Sequence, residues 1–367
     1  MTHSSDSFAS SSFASRTAYA AAHVVADPYG GNAPGAPAAV DWDATLAFRR
    51  HLWSLGLGVA DAMDTAQRGM GLDWAATSEL IARSGAEARA VGGLLACGAG
   101  TDQLPAGPAD DLAAVQAGYE QQIEAVEAAG ARVILMASRQ LAATARGSED
   151  YQQVYGALLR QTRQPVILHW LGTMFDPALD GYWGGPGAGL DAATDSVLTL
   201  IKEHADRIDG IKVSLLDADR EIALRAALPA GVRLYTGDDF HYPELILGGS
   251  DALLGVFDPI AVPAAAALRA LDAGDTERYE ALLAPTVPLA RHLFAAPTFH
   301  YKTGIVFLAW LAGHQDHFGM VAGAQSGRSA IHLLELHRLA LAAGILPDED
   351  LAAARLRQYC ELMGVNR

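Results

Sequence analysis

Lys212 stands in the stretch Asp209-Gly-Ile-Lys-Val-Ser214, flanked by Ile211 and Val213. The run Ile208–Val213 reads as a buried strand with one lysine near its C-terminal end. A buried ammonium is costly unless it is paired, or unless its pKa falls so that the amine is neutral. A neutral lysine is a nucleophile toward carbonyl carbon. The bland alternative is a lysine whose head reaches water or a carboxylate at the strand end. Other ionisable and polar residues recur at similar points of the chain. They are His23, Asp64, Thr65, Ser138, Arg139, His169, Asp238, Asp239, His241 and Asp258.

Each of these residues lies near the C-terminal end of a short apolar run or in the few residues that follow it. The runs are Thr17–Ala26, Gly58–Met63, Val91–Cys97, Arg132–Ala137, Gln164–Trp170, Ile208–Val213, Val232–Thr236 and Asp251–Phe257. Helical patterns separate them, with Asp41 and Asp73 placed as N-caps. Eight strand–helix units within about 250 residues predict a parallel, closed (β/α)8 TIM barrel. A doubly wound open sheet is the alternative, but no GxGxxG follows the first strand. In such barrels the chemistry sits at the C-terminal ends of the strands. That is where the spacing puts the polar residues, while Tyr119, Trp170 and Trp183 read as packing residues.

The serine-rich residues 1–16 predict a disordered tail, with the barrel over 17–274. Residues 275–367 show helical patterns only, over 276–294, 302–311, 327–343 and 348–363, and predict a helical extension packed on the barrel. Half the chain is hydrophobic, and the formal net charge is −16. That balance argues against nucleic acid and anionic membrane surfaces as partners. No apolar run reaches the length of a membrane span. The start lacks a secretory pattern, so the cytoplasm is expected. The two cysteines, Cys97 and Cys360, are far apart and build neither a disulfide scaffold nor a cysteine zinc site.

The lysine motif and its place on the sixth strand resemble the Schiff-base lysine of the dihydrodipicolinate synthase and N-acetylneuraminate lyase superfamily. Leu234-Tyr-Thr-Gly-Asp-Asp239 is similar to the family's next strand, and Gly248-Gly-Ser-Asp-Ala-Leu-Leu-Gly255 to its following turn. Gln164–His169 matches the strand that in the family ends in a catalytic tyrosine; here His169 holds that place. Asp64-Thr65-Ala66-Gln67 stands where the family binds the carboxylate of a 2-oxo acid, and Ser138-Arg139 replaces a tyrosine motif. A second carboxylate at about 4 Å from a substrate carboxylate repels it by roughly 1 to 4 kcal/mol. The whole chain looks most like a dihydrodipicolinate synthase-like subgroup without true dihydrodipicolinate synthase activity. The resemblance also implies a homodimer or homotetramer and no cofactor.

Together these readings predict a class I lyase or aldolase acting on a keto sugar or sugar-derived oxo compound. Lys212 would bind the carbonyl, and His169, with an intrinsic pKa near neutrality, would move protons. Asp64, Thr65, Ser138, Arg139, Asp238, Asp239 and Asp258 would bind substrate. Two alternatives stand beside this. One is a divalent-metal sugar isomerase, epimerase or lyase with His23, His169, Asp239 and His241 as ligands. The other is a non-catalytic barrel that binds a sugar or a protein.

Overall fold

A strand with small, β-branched and aliphatic residues on both faces needs cover on both sides, and here every strand has it. The computed structural model describes residues 13–365. Its strands are β1 (Ala18–Ala21), β2 (Gly58–Asp61), β3 (Leu95–Ala99), β4 (Arg132–Leu135), β5 (Val166–Leu171), β6 (Ile208–Ser214), β7 (Arg233–Thr236) and β8 (Asp251–Leu254). They pair in sequence order, all parallel, and β1 closes the ring against β8. The outer helices are α1 (Trp42–Ser54), α2 (Trp74–Val91), α3 (Leu112–Ala128), α4 (Arg139–Thr144), α5 (Ser148–Gln161), α6 (Leu190–Glu203), α7 (Ala218–Ala227), α8 (Tyr242–Leu247) and α9 (Ala261–Asp272). This is the (β/α)8 barrel that the alternation predicts.

The interior is filled by alternate strand residues. Tyr19, Ala60, Ala96, Ile134, Ile167, Tyr235 and Leu253 form one cluster inside the ring. Ile211 and Val213 belong to the outer layer beneath the helices. By the two-residue period, Gly210, Lys212 and Ser214 therefore face inward. Two tyrosines fill the floor because glycines make room for them. A Cβ on Gly58 would lie 2.7 Å from the Tyr19 ring, and one on Gly210 2.7 Å from the Tyr235 ring. Below them Asp209 pairs with Arg132 at 2.9 Å and with Arg233 at 2.7 Å.

Three strands depart from the sequence pattern by three residues or more at one end, each for a local reason. β3 starts late because Gly92, at φ 67°, caps α2 in the left-handed conformation. β1 stops at Ala21 because later backbone groups are taken by side chains: His23 N donates to Asp258 and Val25 N to Thr45. β8 stops at Leu254, and Val256 N then donates to Asp239. The expected tail over residues 1–16 lies outside the described residues as far as residue 12, and its last residues correct it. Phe13 is buried, Ser15 bonds Asp272, and Arg16 donates to the Ile246 carbonyl.

The extension comprises α10 (Thr276–Leu283), α11 (Thr286–Leu293), α12 (Tyr301–Leu311), α13 (Ala330–Ala342) and α14 (Glu349–Met363). The single helix read over 276–294 divides at Pro285. All residues of α12 are buried. Among the described residues, no helix is long and apolar enough to cross a membrane.

A buried ion pair ties the first two units together. Arg49 on α1 meets Asp61 on β2 through Nε (3.0 Å) and Nη2 (2.7 Å), and Ser84 on α2 donates to the same carboxylate. Both partners are fully buried. Arg49→Met leaves Asp61 buried without its counter-ion. We expect a loss of about 3–5 kcal/mol in urea denaturation; a loss below about 1 kcal/mol would contradict this role.

Candidate active site

The register of the barrel places Lys212 beside His169 on β5 and Tyr235 on β7. Lys212 is 8 % exposed. Among the described residues, no side chain closes a hydrogen bond or ion pair on its amine. Burial lowers its pKa, and the carboxylates of Asp64 and Asp239 oppose that fall. Asp239 moves the other way: burial raises its pKa, although Val256 N donates to it at 2.8 Å and Lys212 attracts it. The two shifts run in opposite directions, each toward the uncharged form of its group.

Lys212 lies in a small inner chamber of about 20 Å³, walled by Asp64, Thr65, Leu171, Phe175, Asp239 and Tyr301 among others. That is room for about one water. Asp64 and Leu171 also line an outer cleft of about 780 Å³, which His169 and Arg139 share. The lysine stem is packed against the next strand end. A Cβ on Gly237 would lie 2.2 Å from Ser214 Oγ, and 2.8 Å from both Lys212 Cε and the Val213 carbonyl.

His169 is buried, with Nε2 3.4 Å from Ser214 Oγ and Nδ1 without a partner among the described residues. Its pKa lies well below the ordinary imidazole value, first through burial and then through Lys212. Burial thus moves the group below its intrinsic value near neutrality and favours the neutral ring.

The remaining candidates divide. Asp64, Thr65 and Asp239 wall the chamber, and Arg139 lines the cleft, ion-paired to Asp176. Ser138 also lines the cleft, but its hydroxyl caps α4 and meets Thr101 Oγ1 at 2.5 Å. Asp238 accepts from Phe240 N, His241 N and the His241 ring, holding a turn. Asp258 is buried against His23 at 2.8 Å. Asp238 and Asp258 line neither cavity; backbone and histidine donors engage Asp238 and one oxygen of Asp258, while Asp258 Oδ1 has no partner among the described residues. The expected metal ligands are dispersed as well. His23 serves Asp258, His241 serves Asp238, and His169 lies beside Lys212. Among the described residues, no three His, Cys, Asp or Glu side chains are arranged to hold a metal ion.

The extension supplies one wall residue of the chamber, Tyr301, and a buried lysine next to it, Lys302. Tyr301 is buried at the start of α12, with its hydroxyl 2.9 Å from Thr65 Oγ1 and its ring stacked on Phe294. Burial and the Asp64 charge push its phenol pKa well up, so it stays protonated. Lys302 follows it, 5 % exposed, donating to the Phe299 carbonyl at 3.2 Å. Its pKa falls to about 8, chiefly by burial, with Asp64 opposing the fall. Asp64 thus lies in the field of two buried lysines, one from the barrel and one from the extension. The available signal was a tyrosine and a lysine opening a helix apolar on all faces.

Two predictions follow from this packing. Gly237→Ala should displace Lys212 and cost about 1–3 kcal/mol of stability; an unchanged melting temperature and unchanged reactivity of Lys212 would refute it. Lys302 is depressed in the native state, so above pH 8 the unfolded chain holds a proton that the native chain has released. Stability linked to this group therefore rises with pH from about 8 toward 10.5. Lys302→Met should remove that rise from the pH dependence of urea unfolding.

The fold and the site can be set against known proteins. No curated protein sequence matches the chain. Among solved structures, dihydrodipicolinate synthase from Thermotoga maritima matches with a TM-score of 0.68 at 15% identity, covering 90% of this chain and 100% of that one. A prophage protein of the dihydrodipicolinic acid synthase family from E. coli K12, solved with pyruvate, matches with a TM-score of 0.70 at 14% identity, over 90% and 99%. The dihydrodipicolinate synthase from Acinetobacter baumannii complexed with pyruvate gives 0.66 at 18%, over 90% and 99%. The resemblance read from the lysine motif thus holds for the fold. A family model described as "Protein of unknown function (DUF993)" matches residues 2–365, and the chain belongs to that family.

Proposed function

We propose that this protein is a Schiff-base lyase or aldolase acting on a keto sugar or sugar-derived oxo compound. The observation that carries the proposal is Lys212: a buried amine with a lowered pKa, facing a cavity, with Asp239 raised beside it. The neutral amine attacks the carbonyl carbon. The oxygen takes one proton from Asp239 and one from the attacking nitrogen and leaves as water. The product is a protonated iminium, with the Asp239 carboxylate as its counter-ion. That iminium is an electron sink for cleavage of a neighbouring C–C bond or for loss of a β-hydroxyl.

Asp239 thus takes an acid–base role beyond holding substrate. His169, neutral and lining the cleft, is suited to accept the proton released next to the iminium. Asp64 and Thr65 supply acceptors for substrate hydroxyls, and the Tyr301 phenol supplies a donor at the same wall. The chamber is too small for a whole substrate, so only the reacting end would sit there and the rest would lie in the outer cleft, with which the chamber shares Asp64 and Leu171. No step of this scheme calls for a metal ion. The dispersed histidines and carboxylates give the metal-enzyme alternative no ligand set among the described residues. A true dihydrodipicolinate synthase reaction fits poorly, because the Asp64 carboxylate stands where a 2-oxo acid would place its own charge.

Borohydride reduction in the presence of separate pools of keto sugars and 2-oxo acids tests the reading. We expect mass added at Lys212 from the keto-sugar pool and none in Lys212→Ala. Full turnover by Lys212→Ala, or no adduct from either pool, would sink the lysine-centred mechanism.

A further inference from the structure

The outer cleft is built differently from the chamber it leads to. Away from Lys212 its wall is made by Leu72, Trp74, Leu104, Ala143, Ala178 and Leu179. Its middle holds polar side chains, but they are turned toward each other. Thr101 Oγ1 meets Ser138 Oγ at 2.5 Å and Gln140 Oε1 at 2.8 Å, and Ser138 also caps α4. Arg139 is ion-paired to Asp176. A polyol lying there finds few free partners, whereas an apolar group finds a wall that is more apolar than polar.

The tryptophan is held on a fixed support. The Arg68 guanidinium lies 6.0 Å from the Trp74 ring centre. Arg68 is itself buried and fixed by Asp102, by Gln122 and by the Gly98 carbonyl. A ring packed on Trp74 therefore meets a surface whose ordering is complete before binding. Size points the same way. Sites of roughly 300–1,000 Å³ hold drug-sized ligands. At about 780 Å³ the cleft is in the upper part of that range. A bare keto sugar would leave most of its apolar wall wet.

We infer that the outer cleft is a subsite for an apolar arm, aryl or branched alkyl, carried by the carbonyl substrate whose reacting end lies at Lys212. The inference rests on the proposed lyase reading for that reacting end only; the subsite itself is defined by its own wall.

Calorimetric titration of the full chain with phenyl β-D-glucoside and with methyl β-D-glucoside tests it, since neither probe carries a carbonyl. We expect the phenyl compound to bind about tenfold tighter or more, from burial of the ring. Trp74→Ala should erase that preference and leave the methyl compound unchanged. Because Trp74 also opens α2, Ala143→Phe is the second variant: Ala143 is exposed on α4, and a ring there fills the cleft without entering the core. Equal affinities, no binding of either probe, or a preference that survives both variants would overturn the inference. Loss of borohydride trapping with the aryl preference retained would remove the lyase reading and leave the subsite. Trapping retained without the preference would remove the subsite alone.

Discussion

The structure depends on the burial of one lysine inside a closed ring of strands. Alternate residues of a barrel strand have no choice of side. Ile211 and Val213 go to the helices, so Lys212 goes inward. There it is almost wholly shielded from water, and among the described residues Asp64 and Asp239 are the opposing charges that bear on its amine. A well-solvated ammonium would have no use as a nucleophile, and an unopposed buried one would weigh heavily on stability. The site lies between these limits, with the amine pushed toward neutrality and its neighbour Asp239 pushed toward the protonated acid.

That constraint explains how the surrounding carboxylates are divided. Asp61, Asp238 and Asp258 are as buried as Asp239, yet each is engaged: by Arg49, by a turn with His241, and by His23. Asp239 takes a backbone N–H and still faces the chamber. The difference is geometric. Asp238 and Asp239 are adjacent on the chain, so their side chains leave the loop in different directions, one toward its own turn and one toward the lysine.

The helical extension is part of the site. α12 is buried along its whole length, and its first two residues, Tyr301 and Lys302, lie in the field of Asp64. The loop after β5 is held over the same place, with Phe175 edge-on to Tyr301 and Asp176 paired to Arg139. Barrel, loop and extension thus enclose the inner chamber jointly, and the wide cleft outside it is shaped by α2, α4 and the loop after β3.

The barrel, the order of its strands and the inward lysine were legible in the sequence, because each follows from a local rule. The alternation of short apolar runs with helical patterns implies a parallel ring, and the two-residue period orients Lys212 once Ile208–Ser214 is a strand. His169 was legible for the same reason. What only the tertiary structure decided is which polar groups are still free when the chain has closed. Asp238 and Ser138 have the right residue types at the right strand ends, but turn and cap partners engage them first, and Asp258 gives one oxygen to His23. Tyr301 meets Thr65 across a sequence separation of 236 residues, and no local pattern encodes a contact of that span. A strand's periodicity is set by its own backbone, whereas a polar atom's availability is set by every other element that packs against it.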